Sequence, residues 1–163
     1  MQLAAAGWQV TAVDVSKSRL ARLSENLART GLKADIVAAD VMKWRPDAKV
    51  DAILIDAPCS ATGIYRRHPD VLHRVRPSAI KELAPVQAAM LERACDWLEP
   101  GGTLVYSVCS LEPEEGEQVA DHFLRNHAEF GEIERQRLLP GAWEAEGGAD
   151  SFFIAAFARN NGG

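Results

Sequence analysis

A chain of 163 residues has room for one compact domain around a single hydrophobic core. Its 47% hydrophobic and 25% charged residues are ordinary for a soluble globular protein, no window reaches the roughly 18 apolar residues of a membrane span, and the N-terminus lacks a signal-peptide layout. These features argue against a membrane protein and point to the cytoplasm, and a net charge of −5 argues against a nonspecific nucleic-acid coat.

In chain order, the first seven residues, Met1 to Gly7, read as the later part of a helix. Trp8 to Asp14 alternates like a strand and ends in an acid. A helix is predicted from about Ser18, with Leu20, Leu23 and Leu27 on one face and Gly31 as its stop. Asp35 to Asp40 is a second short strand with a terminal acid. A loop containing Trp44 and Pro46 leads to a strand at about 51–56, an apolar run that ends on Asp56 and is followed closely by Cys59.

The next stretch is basic. Between Ile64 and Lys81 five bases (Arg66, Arg67, Arg74, Arg76, Lys81) face one acid, Asp70, a local balance of +4 to which His68 and His73 add. Such a patch matters more to a phosphate backbone than the total charge does, although an arginine-rich solvated loop would look the same. Pro77 to Glu82 predicts a single helical turn, and Pro85 the first turn of a separate helix carrying Val86, Met90, Leu91, Ala94, Cys95 and Leu98 inward until Pro100-Gly101-Gly102 breaks it. A strand at 103–107 delivers Cys109 just past its end. A helix is expected from Pro113 to about Asn126, its first turns crowded with Glu114, Glu115 and Glu117. Two weaker strands, Glu132 to Leu138 and Ser151 to Arg159, follow, and residues 160–163 read as a disordered tail.

This order, with apolar early strands and a hairpin-like C-terminal edge, predicts a three-layer α/β sheet. The chemistry then gathers at strand ends, where open α/β sheets bind ligands. If the strands ending at Asp56 and before Cys109 run side by side in parallel, two thiols and a carboxylate converge on one rim. Asp14, Asp40 and Asp56 each close a strand. An acid after one strand suits ribose hydroxyls and an acid after the next suits an exocyclic adenine amine, so the trio points to a nucleoside-containing cofactor, although Asp is also common where turns begin. The three cysteines form no CxxC pair and have no histidines at zinc spacing, so no metal is expected; Cys95 reads as core.

Asp56-Ala57-Pro58-Cys59-Ser60-Ala61-Thr62-Gly63, followed by Arg66-Arg67-His68-Pro69-Asp70, resembles the fourth motif of the S-adenosylmethionine-dependent RNA cytosine-C5 methyltransferases, the family of bacterial rRNA enzymes and the nucleolar NOL/NOP2/Sun proteins. Tyr106-Ser107-Val108-Cys109-Ser110 with Glu112, Glu115 and Glu117 is similar to its sixth motif, and Asp150 to Ala155 to its C-terminal motif. The resemblance covers nearly the whole chain, and its likeness is to the small-subunit rRNA enzymes. It implies a Rossmann-like class I methyltransferase sheet, mostly parallel with an antiparallel C-terminal edge. It also implies S-adenosylmethionine as cofactor and RNA as partner. By position, Asp14 is implied to bind the ribose, Asp40 the adenine end, and Asp56 with Pro58 the region near the methionine and the target base. Cys109 is implied as the nucleophile, Cys59 as the thiol that lets product leave, and Arg66, Arg67 and His68 as the RNA contacts. The chain departs from the family at Val108, where Thr is usual, and at Ser151, where Gly is usual. The Gly-rich first motif and its preceding strand are not in the residues read. The expectation is therefore a sheet short of its first strand, with a gap through which copies could associate, and the competing reading is a catalytically silent fragment that binds RNA or a partner at most.

Cytosine C5 is too weak a nucleophile to attack a methyl sulfonium unaided, and a thiolate adding to C6 makes it enamine-like. The attacking thiol must be partly ionised, which a nearby helix N-terminus or cation favours. Asp56, expected at a buried strand end, suits a protonated carboxyl facing ring N3. The target base must leave its stack, which fits single-stranded or extruded RNA.

Overall fold

The structure is a computed structural model that describes residues 1–143, 145 and 147–161; of the predicted tail, residues 162 and 163 lie outside the described residues. The chain forms two compact units, Met1–Arg45 and Pro46–Gly163. Among the described residues, no helix is long and apolar enough to cross a membrane.

The first unit holds α1 (Gln2–Ala5), β1 (Thr11–Asp14), α2 (Lys17–Thr30) and β2 (Asp35–Ala38). β1 and β2 pair in parallel, Thr11 opposite Asp35 through Asp14 opposite Ala38. β1 is shorter than its alternation predicts because β2 offers only four residues to pair with. α2 begins where Ser16 Oγ accepts from Arg19 N and ends at Gly31, whose φ of 69° lies in the left-handed region that glycine enters without penalty. Leu20 and Leu27 are its buried residues. The strand expected to reach Asp40 stops at Ala38, because the Asp40 carbonyl already accepts from Lys43 N and Trp44 N in a turn.

The second unit runs β3 (Val50–Asp56), a 3₁₀ turn at Thr62–Ile64, α3 (Val71–Arg74), α4 (Pro77–Cys95), β4 (Leu98–Val108), α5 (Glu117–Asn126), β5 (Phe130–Leu138) and β6 (Phe152–Arg159). Its sheet has the order β3-β4-β6-β5. β3 and β4 are parallel, and β6 is antiparallel to both β4 and β5, as the hairpin-like edge predicted. Burial alternates along β4 and β6, so Leu104, Tyr106 and Val108 meet Phe153, Ala155 and Phe157 beneath Leu91 of α4 and Phe123 of α5. Each such large apolar side chain contributes roughly 1.5–3 kcal/mol relative to exposure. Arg159 closes the lower end of this layer, donating from Nη1 to the carbonyls of Cys95 and Leu98 at 3.2 and 2.6 Å.

Three predicted boundaries shift. The turn at Pro77 and the helix at Pro85 are one continuous α4: Pro77 supplies the pre-set first turn, and Pro85 lies inside. The hydrogen bond Pro85 cannot give would have gone to Lys81, and both residues are exposed, so water can satisfy that carbonyl. Val86 faces solvent, while Gln87 takes the buried position. β4 starts at Leu98 and carries Pro100-Gly101-Gly102 within it, because the register jumps from Val50 opposite Leu98 to Ala52 opposite Thr103 and the extra residues bulge. α5 starts at Glu117 rather than Pro113. Gly116 is non-helical, and a Cβ there would meet Arg137 Nη2 at 2.7 Å and Phe153 at 2.9 Å.

α5 ends on His127, whose ring stacks on Phe123 at 4.7 Å and meets Glu92 of α4 at 2.9 Å and Glu129 at 3.1 Å. Partial burial lowers its pKa, but the carboxylates of Glu129 and Glu92 more than reverse this, so it is raised from the ordinary 6.5. A raised folded value means the ionic contribution is full below the unfolded value and is lost as pH rises through the folded one. Urea unfolding of the parent and His127→Gln should differ by a pH-dependent part of roughly 0.5 kcal/mol, small because both carboxylates are well solvated, present near pH 5.5 and gone by about pH 8.5.

Candidate active site

Parallel pairing of β3 with β4 sets Ile55 opposite Tyr106 and Asp56 opposite Ser107. One more rung, Ala57 N to Ser107 O at 3.0 Å, carries the pairing past the strand end. Beyond it the two chains turn over the same rim. Ala61, at a φ of 58°, bends the first loop back, and Gly63 then donates to Cys109 O at 3.0 Å and accepts from Ser151 N at 2.9 Å. A Cβ on Gly63 would stand 2.5 Å from Ser151 O, so the three segments meet only where a side chain is missing. The sulfurs of Cys59 and Cys109 lie 3.5 Å apart.

The two thiols are not equivalent. Hydrogen bonding from Cys59 holds the Cys109 thiol below its ordinary value, against burial and the charge of Asp56. The same hydrogen bond, then burial, then the charge on Cys109 push Cys59 up. Cys109 is therefore the sulfur that ionises and Cys59 the one that keeps its proton. Cys95 is separate, buried in the core with Sγ on Leu91 O at 3.2 Å, and burial first of all pushes it up to about 12.

Polar side chains fill the floor under the thiols. Ser60 N and Ser60 Oγ reach Glu115 at 2.9 and 2.5 Å, Ser110 Oγ reaches it at 2.6 Å, and Gln87 Nε2 at 3.1 Å. Gln87 Nε2 also donates to Pro58 O at 2.8 Å, and Thr62 Oγ1 accepts from Leu111 N at 2.9 Å. Glu115 was expected among acids of a first helical turn; because α5 starts two residues later, its side chain turns inward and is 0% exposed. Gln87, in the middle of an otherwise apolar helical face, is the one signal in the sequence that a polar partner lay beneath α4.

Asp56 is exposed at the end of β3, which corrects the buried position expected for it. Pro58 is exposed too, with its carbonyl held by Gln87. Of the basic residues, Arg67 is committed to Asp150, Nε lying 2.9 Å from Oδ2 with Nη2 closing the second prong. The Arg67 guanidinium holds the Asp150 carboxyl below its ordinary value. Arg66 Nη2 leans on Gly148 O at 3.4 Å, and His68 is exposed. Asp14 and Asp40 belong to the first unit. Asp14 Oδ1 accepts from Ser16 N at 2.7 Å and Arg19 at 2.9 Å, while Asp40 Oδ1 accepts from Met42 N at 2.9 Å. Both carboxylates accept hydrogen bonds, Asp14 as the last residue of β1 and Asp40 two residues beyond β2.

The profile of the family described as 16S rRNA methyltransferase RsmB/F matches residues 1–158. Ribosomal RNA small subunit methyltransferase B of Erwinia tasmaniensis is 43% identical over 158 residues, covering 93% of this chain and 37% of the relative. The same-named protein of Enterobacter sp. (strain 638) is 47% identical over 160 residues, covering 92% and 36%. The chain thus spans a little over a third of the length of these curated relatives. Among solved structures, NSun6 from Pyrococcus horikoshii with SFG superposes with a TM-score of 0.80 at 32% identity, over 93% of this chain and 41% of that one. A methyltransferase homolog protein from the same organism gives 0.76 at 28% identity, over 93% and 53%.

Alkylation followed by peptide mapping should separate the thiols. Cys109 is expected to react with a pH midpoint below the ordinary thiol value of about 8.5, while Cys59 stays unmodified between about pH 6 and 9. Replacing Cys59 by Ala removes the main cause of the depression and should raise the Cys109 midpoint; equal reactivity of both thiols would contradict the asymmetry.

Proposed function

The chain belongs to the RsmB/F family of 16S rRNA methyltransferases, and from that premise we propose that it transfers a methyl group from S-adenosylmethionine to C5 of a cytosine in RNA, small-subunit rRNA in particular, through a covalent bond between Cys109 and C6. The observation that carries the proposal is the thiol pair, two sulfurs 3.5 Å apart at the ends of adjacent parallel strands, one ionisable and one protonated.

When bound, the cofactor supplies an electrophilic methyl on a sulfonium. Asp14 and Asp40 are the proposed acceptors for its ribose and adenine groups, and Asp56 and Pro58 the contacts nearer its reactive end. Cys109 adds as thiolate to C6, and the electron pair displaced toward N3 leaves C5 enamine-like. Asp56, at the exposed rim, takes part as the protonated acid and donates a hydrogen bond to N3 as negative charge builds there. C5 takes the methyl as the carbon–sulfonium bond breaks. The C5 proton must then leave before the C6–sulfur bond can break and return Cys109 as thiolate. With Cys109 bonded to C6, the negative charge that opposes ionisation of Cys59 is gone, so Cys59 gives its proton to water and, as thiolate, is the proposed base for the C5 proton.

The basic loop is the proposed RNA contact. Arg67 keeps two of its nitrogens on Asp150 and so orders the loop, and Arg66, Arg67 and His68 are all exposed to meet phosphate.

With labelled cofactor and small-subunit rRNA, product is expected at 5-methylcytosine. Cys109→Ala should lower the rate by more than about a thousandfold, about 4 kcal/mol of barrier. RNA carrying 5-fluorocytosine should become covalently attached at Cys109, and Cys59→Ala should accumulate the adduct on ordinary RNA. Attachment at Cys59 instead would reverse the two roles, as would full activity in Cys109→Ala.

A further inference from the structure

We infer that Glu115 is the positioning residue of the thiol pair, a buried carboxylate that clamps the loop carrying Cys59 to the loop carrying Cys109 and so fixes the distance between the sulfurs. The inference rests on the two-thiol reading of the site and extends it to the group that holds the thiols in place.

Glu115 lies in the turn before α5 and is fully buried, yet among the described residues no cation pairs with it. A carboxylate in that position is unfavourable unless hydrogen bonds compensate it. The compensation comes from three different segments. Ser60, adjacent to Cys59, gives its N–H at 2.9 Å to Oε1 and its hydroxyl at 2.5 Å to Oε2. Ser110, adjacent to Cys109, gives its hydroxyl at 2.6 Å to the same Oε2. Gln87 of α4 gives Nε2 at 3.1 Å to Oε1 while also holding the Pro58 carbonyl. Every one of these partners donates, the arrangement that suits an acceptor-only carboxylate.

A single oxygen is thus shared by the residues following each thiol, and the two hydroxyls come within 3.2 Å of each other on it. The backbone of Glu115 is fixed independently, its carbonyl accepting from Tyr106 OH at 2.5 Å, while the absence of a side chain on Gly116 lets the turn close over Phe153. Both sulfurs are therefore referred to one atom of one side chain. An apolar residue of similar volume would fill the space but would leave Ser60 N–H unsatisfied and the loops untied. The sulfur contact depends on this tie, since a displacement on the order of 1 Å at a reacting centre costs about a hundredfold in rate.

The test is Glu115→Gln in the full chain, read first on the thiols alone. A diamide-type oxidant, which takes up two electrons and two protons as the pair becomes a disulfide, should link Cys59 to Cys109 rapidly in the parent. In the variant the linkage should be slower by at least about tenfold, and the Cys109 alkylation midpoint should move toward the ordinary thiol value. In methylation assays kcat should fall about a hundredfold with KM for RNA changed by less than about threefold. If the variant does not fold, Ser60→Ala, which deletes one donor and leaves the others, is read the same way, and slowing of oxidation by about fivefold sustains the clamp. Oxidation at the parent rate in a folded variant, with the alkylation midpoint unmoved, overturns it. Because the thiol readouts need no methyl transfer, the clamp can fail in an enzyme that methylates, and it can hold in a chain that does not.

Discussion

The in-register parallel pairing of β3 with β4 is the constraint from which the rest of the second unit follows. Asp56 opposite Ser107, extended by Ala57 N on Ser107 O, makes the two strands end together, so the residues after them share one rim. A slip of one residue would move one loop by about 3.3 Å and turn each side chain of that strand to the other face. Register is held against such a slip by burial. Tyr106 and Val108 reach the core only in this alignment, where they meet Phe153 and Phe157 on the neighbouring antiparallel strand.

On that rim, apolar packing gives way to a hydrogen-bonded layer. Glu115, Gln87, Ser60, Ser110 and Thr62 lie between the thiols and the core, and around them stand two Arg–carboxylate forks, Arg67 on Asp150 and Arg137 on Glu117. The Arg137 fork holds Glu117 below its ordinary value and also reaches Ser110 O at 3.0 Å, so it braces the Cys109 loop from outside. The Arg67 fork ties the basic loop to the segment that leads into β6. Buried polar groups of this kind contribute geometry more than stability, because their mutual attraction is spent largely on lost solvation.

The electrostatics of the thiol pair follow from this setting. Two sulfurs at contact distance cannot both ionise, since each charge opposes the other. Solvation and hydrogen bonding leave the proton on Cys59 and the charge on Cys109. The acid that belongs to the same rim, Asp56, is exposed and raises rather than lowers the Cys109 thiol. The lowered value of the Cys109 thiol therefore comes first of all from its partner thiol.

By itself the sequence determined the order of strands and helices, the stop of α2 at Gly31, the antiparallel C-terminal edge and the meeting of two motif cysteines at adjacent strand ends. These are legible because they depend on local pattern: period-two or helical spacing, glycine at a helix end, and an apolar run that closes on a polar residue. Tertiary structure decided what depends on partners distant along the chain. Pro85 became interior to α4 because exposure on that face let water replace the bond it lacks. Asp56 proved exposed and Glu115 buried, a reversal invisible to spacing, since one acid ends a strand and the other lies just before a helix. Arg67, expected among the phosphate contacts, also pairs with Asp150, 83 residues away in the chain. Burial and pairing of a charged side chain are set by which segments happen to fold over it, and that is a property of the packed chain rather than of its local sequence.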